Sequence, residues 1–319
     1  MTSKLQEVSH IDVSFAIACY NAGDFLEAAV ASALAQTDVS VEVIIVDDGS
    51  DDGSYQRAEK MAAKDSRIKV LKTPKNLGPG GARNLALEAM QGDWYAVLDS
   101  DDLLKPERTR MLIDMANSCD ADIIADDLEV FGDGVETYSL MGGAKNTHPV
   151  QLDLDLYFER SRLFAARPGY GFLKPMIRRS LIEEKILRYD ERLRIGEDDE
   201  LVVRLLIDEC RYFLTHHAMY RYRKHGNSIS HRLSVVNAEK MLETERNIQK
   251  RVGPEIMSSS AYRRRLSSVK RGLAFVSSVD HLKKRRYFAA ILTVLKQPAA
   301  LILYKMPIRA ALNRLTSSG

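Results

Sequence analysis

Three near-continuous apolar runs, at 13–19, 41–46 and 94–98, constrain the fold more than any other feature of the chain. None alternates polar with apolar residues, so each strand they predict is covered on both faces, as in a parallel sheet between helices. Helical patterns separate them. Phe25, Leu26, Ala29, Val30, Ala33 and Leu34 fall on one stripe, and further helices are predicted over 55–64, 82–90 and 106–119, with a short strand over 68–71. This alternation predicts an α/β chain with a doubly wound sheet. After Ile123-Ile124 the pattern changes. A strand, a Gly132-Asp133-Gly134 turn and a strand are expected over 128–140, and a helix over 180–187. A second helix begins near Asp198, with Leu201, Val202, Leu205 and Leu206 inward, and strands are expected over 211–214 and 219–222. No internal repeat or low-complexity tract is present.

The acids are placed where such a sheet would use them. The run at 41–46 ends in Asp47-Asp48-Gly49-Ser50, and the run at 94–98 ends in Asp99-Ser100-Asp101-Asp102. Ligands of doubly wound sheets bind outside the carboxyl ends of the strands. Clustered carboxylates there suit a hard divalent cation and its charged ligand, because Mg²⁺ and Mn²⁺ take oxygen donors and leave places for phosphate and water. The competing reading of 99–102 is a strand end followed by a helix cap, with Asp101 or Asp102 as the cap and Pro106 in the first turn; Asp102 suits that role better. The glycines at 78, 80 and 81 form neither a Walker A loop nor a dinucleotide fingerprint, and a tight turn explains their spacing as well as a phosphate site does. Asp198, flanked by Glu197, Asp199 and Glu200 at a helix start, is a general-base candidate or a cap. Arg221, Arg223, Lys224 and His225 form a basic loop that suits a diphosphate, and His225 can also ligate a metal.

Charge is unevenly spread. From Arg251 onward there are fourteen Lys/Arg and two acids, a net +12, against −10 for residues 1–250. Basic residues at 263–265, 270–271 and 283–286 alternate with Leu266, Leu273, Phe275, Phe288, Ile291, Leu292 and Leu295. Such basic amphipathic helices fit an anionic membrane surface, and no recognised nucleic-acid module accompanies the charge, so nucleic acid is not an expected partner. The apolar tract at 287–304 is broken by Lys296-Gln297-Pro298, which leaves each half too short to span a bilayer core of about 30 Å. Three scattered cysteines, Cys19, Cys119 and Cys210, predict reduced, buried thiols rather than a disulfide framework or a zinc site. The first residues, Met1 to Glu7, show no apolar secretory core.

Five segments together resemble the motif series of the family 2 inverting glycosyltransferases, in order and at matching spacing. They are Val13 to Asn21, Ile45-Val46-Asp47-Asp48-Gly49-Ser50, Asn76-x-Gly78-x-x-x-Ala82-Arg83-Asn84, Leu98-Asp99-Ser100-Asp101-Asp102 and Gly196-Glu197-Asp198. The resemblance runs from about residue 11 to 231. It implies the GT-A fold, a mixed and mainly parallel doubly wound sheet with helices on both faces, carried by residues 1–231, with 232–319 as a basic helical extension. It also implies transfer of a sugar, from a UDP-hexose by family habit, to an acceptor hydroxyl with inversion. Asp48 matches the aspartate that reads the nucleotide base, beside a pocket at Ala18 and Tyr20. Arg83 matches a donor-site residue, Asp99 the acid near the ribose, Asp101 the ligand of Mn²⁺ or Mg²⁺, and Asp198 the catalytic base. Tyr222-Arg223-x-His225-x-x-Ser228-x-Ser230 resembles the late loop that closes over the diphosphate, and Ala18-Cys19 departs from the pair usual in the family. Many bacterial members build exopolysaccharide on a saccharide or polyprenyl-diphosphate-linked acceptor at the cytoplasmic face of the inner membrane, which the basic extension fits. A nucleotidyltransferase would require a basic Gly-rich signature that Tyr20-Asn21-Ala22-Gly23 lacks. A non-catalytic nucleotide-sugar or lipid-binding scaffold would not need both Asp101 and Asp198.

Overall fold

Strand β1 (Val13–Cys19) lies between β2 (Val41–Asp47) and β4 (Trp94–Val97), parallel to both. The register sets Cys19 opposite Asp47 and Ala16 opposite Val97, so all three strands end at one edge. The order follows from the apolar runs. Nearly every residue of the three strands is buried, which requires cover on both sheet faces. The cover includes α1 (Phe25–Leu34), α2 (Ser54–Ala62) and α3 (Pro79–Ala89), and β3 (Ile68–Lys72) extends the parallel set beyond β2. These elements lie where the sequence predicts them. The computed structural model describes residues 10–143, 148–225 and 233–305.

One polar residue interrupts the β1 pattern without cost to it. Ser14 is buried, and its hydroxyl donates to Glu42 Oε1 at 2.5 Å while accepting from Gly92 N at 2.8 Å. The turn into β4 therefore hangs on a β1 side chain. A Cβ on Gly92 would stand 2.7 Å from Ser14 N and from the Val13 carbonyl carbon, so only glycine fits this approach.

The second half of the sheet is built from β5 (Leu103–Leu104), β6 (Ile123–Gly132), β7 (Val135–Ser139), β8 (Val150–Leu152), β9 (Met176–Arg178) and β10 (Tyr212–Arg223). The strand order is β3-β2-β1-β4-β9-β6-β10-β5, with β7 on β6 and β8 on β10. Strand β9 runs antiparallel to both β4 and β6, whereas β10 runs parallel to β6 along the longest ladder of the sheet. The sheet is thus mixed, and its long ladders are parallel. Helices α4 (Arg108–Ser118), α6 (Arg179–Lys185) and α7 (Glu197–Ile207) connect these strands.

The two strands expected over 211–214 and 219–222 are one strand, β10, with register shifts between Thr215 and Tyr220. Its cause is buried Asp126 on β6, whose Oδ2 accepts from Met219 N at 3.2 Å and Tyr220 N at 2.8 Å. The bulge lets both amides reach the carboxylate. Asp126 also pairs with Arg108, both fully buried, through Nε at 3.0 Å and Nη2 at 2.8 Å. Arg108 Nη2 further donates to the carbonyl of Lys174 at 2.8 Å.

The chain divides into two compact units. The first, Met1–Leu152, Leu173–Leu201 and Asp208–Asn227, holds the sheet. The second comprises Asp153–Phe172, Val202–Ile207 and Ser228–Gly319, with α5 (Leu154–Arg160), α8 (Val235–Arg251), α9 (Pro254–Ser258), α10 (Ser260–Lys283), α11 (Tyr287–Lys296) and a 3₁₀ segment, Pro298–Tyr304. In this unit Arg265 on α10 is buried and donates to Glu245 on α8 at 2.8 Å, and Arg264 pairs with Glu159 at 2.7 Å. Two of the three arginines at 263–265 are therefore structural partners within the unit, which narrows the surface-facing basic stretch expected from the sequence. Cys19 and Cys210 are buried as expected, and Cys119 is half-buried.

Candidate active site

The carboxyl ends of β1, β2 and β4 bring the acidic segments to one edge, and α3 ties them together. Asp48, at the end of β2, is buried. Its Oδ1 accepts from Thr73 Oγ1 at 2.9 Å and Leu77 N at 2.7 Å, and its Oδ2 from Gly78 N at 2.7 Å. Gly78 holds φ +86° as the residue before α3, a conformation L side chains rarely adopt. Asp48 thus fixes the entry of the helix that carries Arg83. Ala18 is half-buried at the end of β1, and Tyr20 is exposed just beyond it.

Arg83 is 4% exposed and holds three acids. Nη1 donates to Glu197 Oε1 at 2.6 Å and Asp198 Oδ1 at 2.9 Å, while Nη2 donates to Asp99 Oδ1 at 2.9 Å. Lys174 bridges two of the same acids from the other side, with Nζ 2.8 Å from Asp99 Oδ2 and 3.2 Å from Asp198 Oδ2. Both oxygens of Asp99 and both of Asp198 therefore face a cation. Burial opposes the charge on Asp99, but Lys174 and Arg83 outweigh it and hold the carboxyl down to about 2. Burial likewise opposes the charge on Lys174, and Asp99 and Asp198 more than compensate, so the ammonium is strongly favoured. Arg83 is raised for the same reason. Glu197 is pushed up, by burial first and then by Asp198, with Arg83 acting against them.

Asp101 and Asp102 divide differently from the sequence expectation. Asp102 caps no helix. The chain after it pairs as β5 with Tyr220 and Arg221 of β10, and α4 begins only at Arg108, after Glu107, with no side-chain cap. Asp102 is buried and accepts from Tyr220 Oη at 2.9 Å and Arg223 N at 2.7 Å. Burial, then the charges of Asp99 and Asp101, push its carboxyl well above the usual range. Tyr220 Oη also accepts from Asp99 N at 3.1 Å, so one phenol links the acidic loop to β10 at two points. Arg223 Nε donates to the carbonyl of Asp101 at 2.7 Å, and its guanidinium stacks on Phe25 and Phe131.

Asp101 Oδ2 lies 2.7 Å from His225 Nε2, and the two side chains are 31% and 20% exposed. The Asp101 carboxylate is the kind of oxygen donor that Mn²⁺ or Mg²⁺ takes, whereas an imidazole nitrogen suits softer metals better, and here the two side chains bond each other. Among the described residues no group of three or more His, Cys, Asp or Glu could hold a metal. A cation here would complete its shell from water and a bound anion, as those ions commonly do. Ser228, Ser230 and His231 lie outside the described residues.

The structure brings together Arg83, Asp99 and Asp198, with Asp101, Arg223 and His225 on the adjoining loop. Sequence reasoning missed Lys174, Tyr220 and the Arg108–Asp126 pair, and it treated Glu197 only as a neighbour of Asp198. A lysine inside the apolar run Leu173-Lys174-Pro175-Met176-Ile177 was the one available signal for Lys174.

Known proteins resemble this chain in sequence and in fold. Residues 14–184 match the family model "Glycosyl transferase family 2". The succinoglycan biosynthesis protein ExoO of Rhizobium meliloti is 36% identical over 306 residues, which covers 96% of this chain and 87% of that protein. Staphylococcus aureus TarS 1–349, solved in complex with UDP-GlcNAc, superposes with a TM-score of 0.62 at 21% identity, covering 91% of this chain and 78% of that one. The mannosyltransferase PcManGT of Pyrobaculum calidifontis, solved with GDP-Man and Mn²⁺, gives a TM-score of 0.57 at 15% identity, covering 95% and 81%. The α/β sheet described above is the GT-A fold.

Proposed function

The chain belongs to glycosyltransferase family 2, and we propose that it transfers a sugar from a nucleotide-diphosphate donor, a UDP-hexose, to an acceptor hydroxyl in one inverting displacement. The reading extends to bacterial surface polysaccharide synthesis, given the similarity to ExoO. The observation that carries it is the pair of cations, Arg83 and Lys174, each joining Asp99 of the donor loop to Asp198 of α7. A donor-side acid and a base candidate held by the same two groups are positioned for a single reacting centre.

Asp198 takes the proton from the acceptor hydroxyl as that oxygen attacks the anomeric carbon, and the nucleoside diphosphate departs from the opposite side. Arg83 and Lys174 each occupy one lone pair of an Asp198 oxygen, and a carboxylate has further lone pairs for the hydroxyl. Asp99 meets the ribose, and Ala18, Tyr20 and Asp48 line the base pocket. Arg223 faces the diphosphate, beside the metal ligands Asp101 and His225. Asp101 and His225 would hold a Mn²⁺ or Mg²⁺ ion, which when bound would neutralise charge on the leaving diphosphate.

Residues 1–231 carry this chemistry, and 232–319 attach the enzyme to the cytoplasmic face of a membrane that bears the saccharide or polyprenyl-diphosphate acceptor. The test is Mn²⁺-dependent release of UDP from UDP-sugars by the wild type, Asp101→Ala and Asp198→Asn. Loss of a general base costs on the order of 10²–10⁴ in rate, so Asp198→Asn should fall by at least about a hundredfold. Asp101→Ala should lose its response to metal. Equal release by all three proteins would remove both assignments.

A further inference from the structure

Helix α11 exposes a continuous apolar stripe. Tyr287, Phe288, Ile291, Leu292 and Leu295 are 42–80% exposed, at spacings that put them on one face. Ala290 is the helix's one buried residue. The chain then bends by 113° into the 3₁₀ segment, where Leu301 and Ile302 are also exposed. The inward side of the same hairpin is well anchored. Ala300 and Leu303 pack with Ala274 and Phe275 of α10, the Phe275 and Tyr304 rings meet edge to face at 5.2 Å, and Tyr304 Oη lies 2.7 Å from Ser278 Oγ. The exposed residues are therefore the outer face of a packed element.

The surrounding charge is largely of one sign, and the nearest acid in sequence, Asp280 on α10, is already paired with Lys284 at 2.8 Å. Lys283, Lys284, Arg285 and Arg286 immediately precede the stripe, are all exposed, and are followed by Lys296 and Lys305. Residues 281–319 contain no Asp or Glu. We propose that α11 and the Leu301-Ile302 turn enter the headgroup region of an anionic lipid leaflet as a shallow bent wedge, with Lys283–Arg286 on the phosphates. Apolar residues beneath a collar of cations match the depth profile of such a surface. Ten residues of helix reach only about 15 Å, half a bilayer core, so the wedge lies in one leaflet. No single helix among the described residues is long and apolar enough to cross. A second copy of the chain fits less well. A two-fold contact through this face would set cations against a partner segment with no acid to receive them, and the cores of protein interfaces are depleted in lysine.

The inference rests on the membrane-surface reading above and names the element responsible. The full chain is sedimented with phosphatidylglycerol–phosphatidylcholine vesicles and with pure phosphatidylcholine vesicles. Three variants accompany it: Phe288→Ser with Leu295→Ser, Lys283→Gln with Arg286→Gln, and, on α10, Arg263→Gln with Lys270→Gln. All the altered side chains are exposed, and circular dichroism checks that the fold is kept. The wild type should bind the anionic vesicles, less so at high salt. The apolar pair should weaken binding by about a hundredfold, roughly tenfold per buried side chain. The basic pair should weaken it by about twentyfold, and the α10 pair should stay within about twofold because those residues stand outside the wedge. Absence of vesicle binding by the wild type would sink the membrane reading itself. Undiminished binding by the apolar pair, with the wild type bound, would sink only the wedge. So would a concentration-dependent dimer in sedimentation velocity that the apolar pair abolishes, since a second copy would then be the occupant.

Discussion

Replacing Lys174 with methionine keeps the length of the side chain and removes the ammonium between Asp99 and Asp198. Lys174 is 10% exposed, Asp198 14% and Asp99 27%, so the three charges sit largely out of water. Removing one partner of a fully buried pair costs about 3–5 kcal/mol, because the other charge is left uncompensated. Arg83 still reaches both acids, and Asp99 is partly solvated, so the expected cost here is lower, about 2–3 kcal/mol. For a domain of this size that corresponds to a fall in Tm of roughly 5–10 °C. The assay is thermal unfolding followed by circular dichroism at neutral pH.

A second substitution separates charge imbalance from lost packing. Asp99→Asn in the Lys174→Met background removes one of the two carboxylates that the lysine had neutralised. It should recover part of the loss, with a coupling of about 1–3 kcal/mol across the cycle. UDP release should fall in both variants, because Asp198 loses the group that fixes its Oδ2. The reasoning is wrong if Lys174→Met melts within about 1 °C of the wild type, or if adding Asp99→Asn makes the protein no more stable than Lys174→Met alone.

The depressed Asp99 carboxyl predicts an acid limb. Its folded value of about 2 lies below the usual 3.8, so the stability it contributes is present above about pH 4 and lost as pH falls through 2; urea titrations across that range should show a shallower slope for Asp99→Asn. Arg108→Met leaves Asp126 buried and charged, and should cost about 3–5 kcal/mol in urea unfolding, while Arg108→Met with Asp126→Leu should be closer to wild type. Burial first, and then Asp47, push the Cys19 thiol up to about 11, so native protein should not label at Cys19 with a thiol reagent at pH 8, as peptide mapping after the reaction would show. Gly92→Ala presses a methyl group on the β1 backbone and should cost about 1–3 kcal/mol by the same urea assay.

What could be read from the sequence was what local pattern encodes. The bounds of β1 and α1 matched because continuous apolar runs and a helical stripe are properties of neighbouring residues. The acids at 47–48 and 99–102 were visible for the same reason, since strand ends are marked by where the apolar run stops. The roles of Asp102 and Lys174 were not visible, because both depend on partners remote in sequence, Lys174 on Asp99 and Asp198, 75 and 24 residues away. Asp102 has the local chemistry of a cap, yet Tyr220 and Arg223, 118 and 121 residues later, take its oxygens. Lys174 has no acid near it in sequence and meets two in space.

These non-local contacts converge on one buried pair. Asp126 receives the amides of Met219 and Tyr220, and the register shift that follows places Tyr220 Oη on the Asp99 amide and on Asp102. Its partner Arg108 holds the Lys174 carbonyl, which sets the start of the side chain that reaches Asp99 and Asp198. The acidic loop is thus aligned from two sides by a single ion pair with no exposure to solvent. A buried pair is a poor way to gain stability, since well-packed apolar residues of the same volume do as well or better. Its value here is geometric. An apolar pair could fill the space between β6 and α4, but it could offer neither the carboxylate that turns the β10 amides inward nor the guanidinium that fixes Lys174. The Arg108→Met, Asp126→Leu protein should therefore fold and still release UDP poorly, which separates the role of these residues in stability from their role in aligning the site.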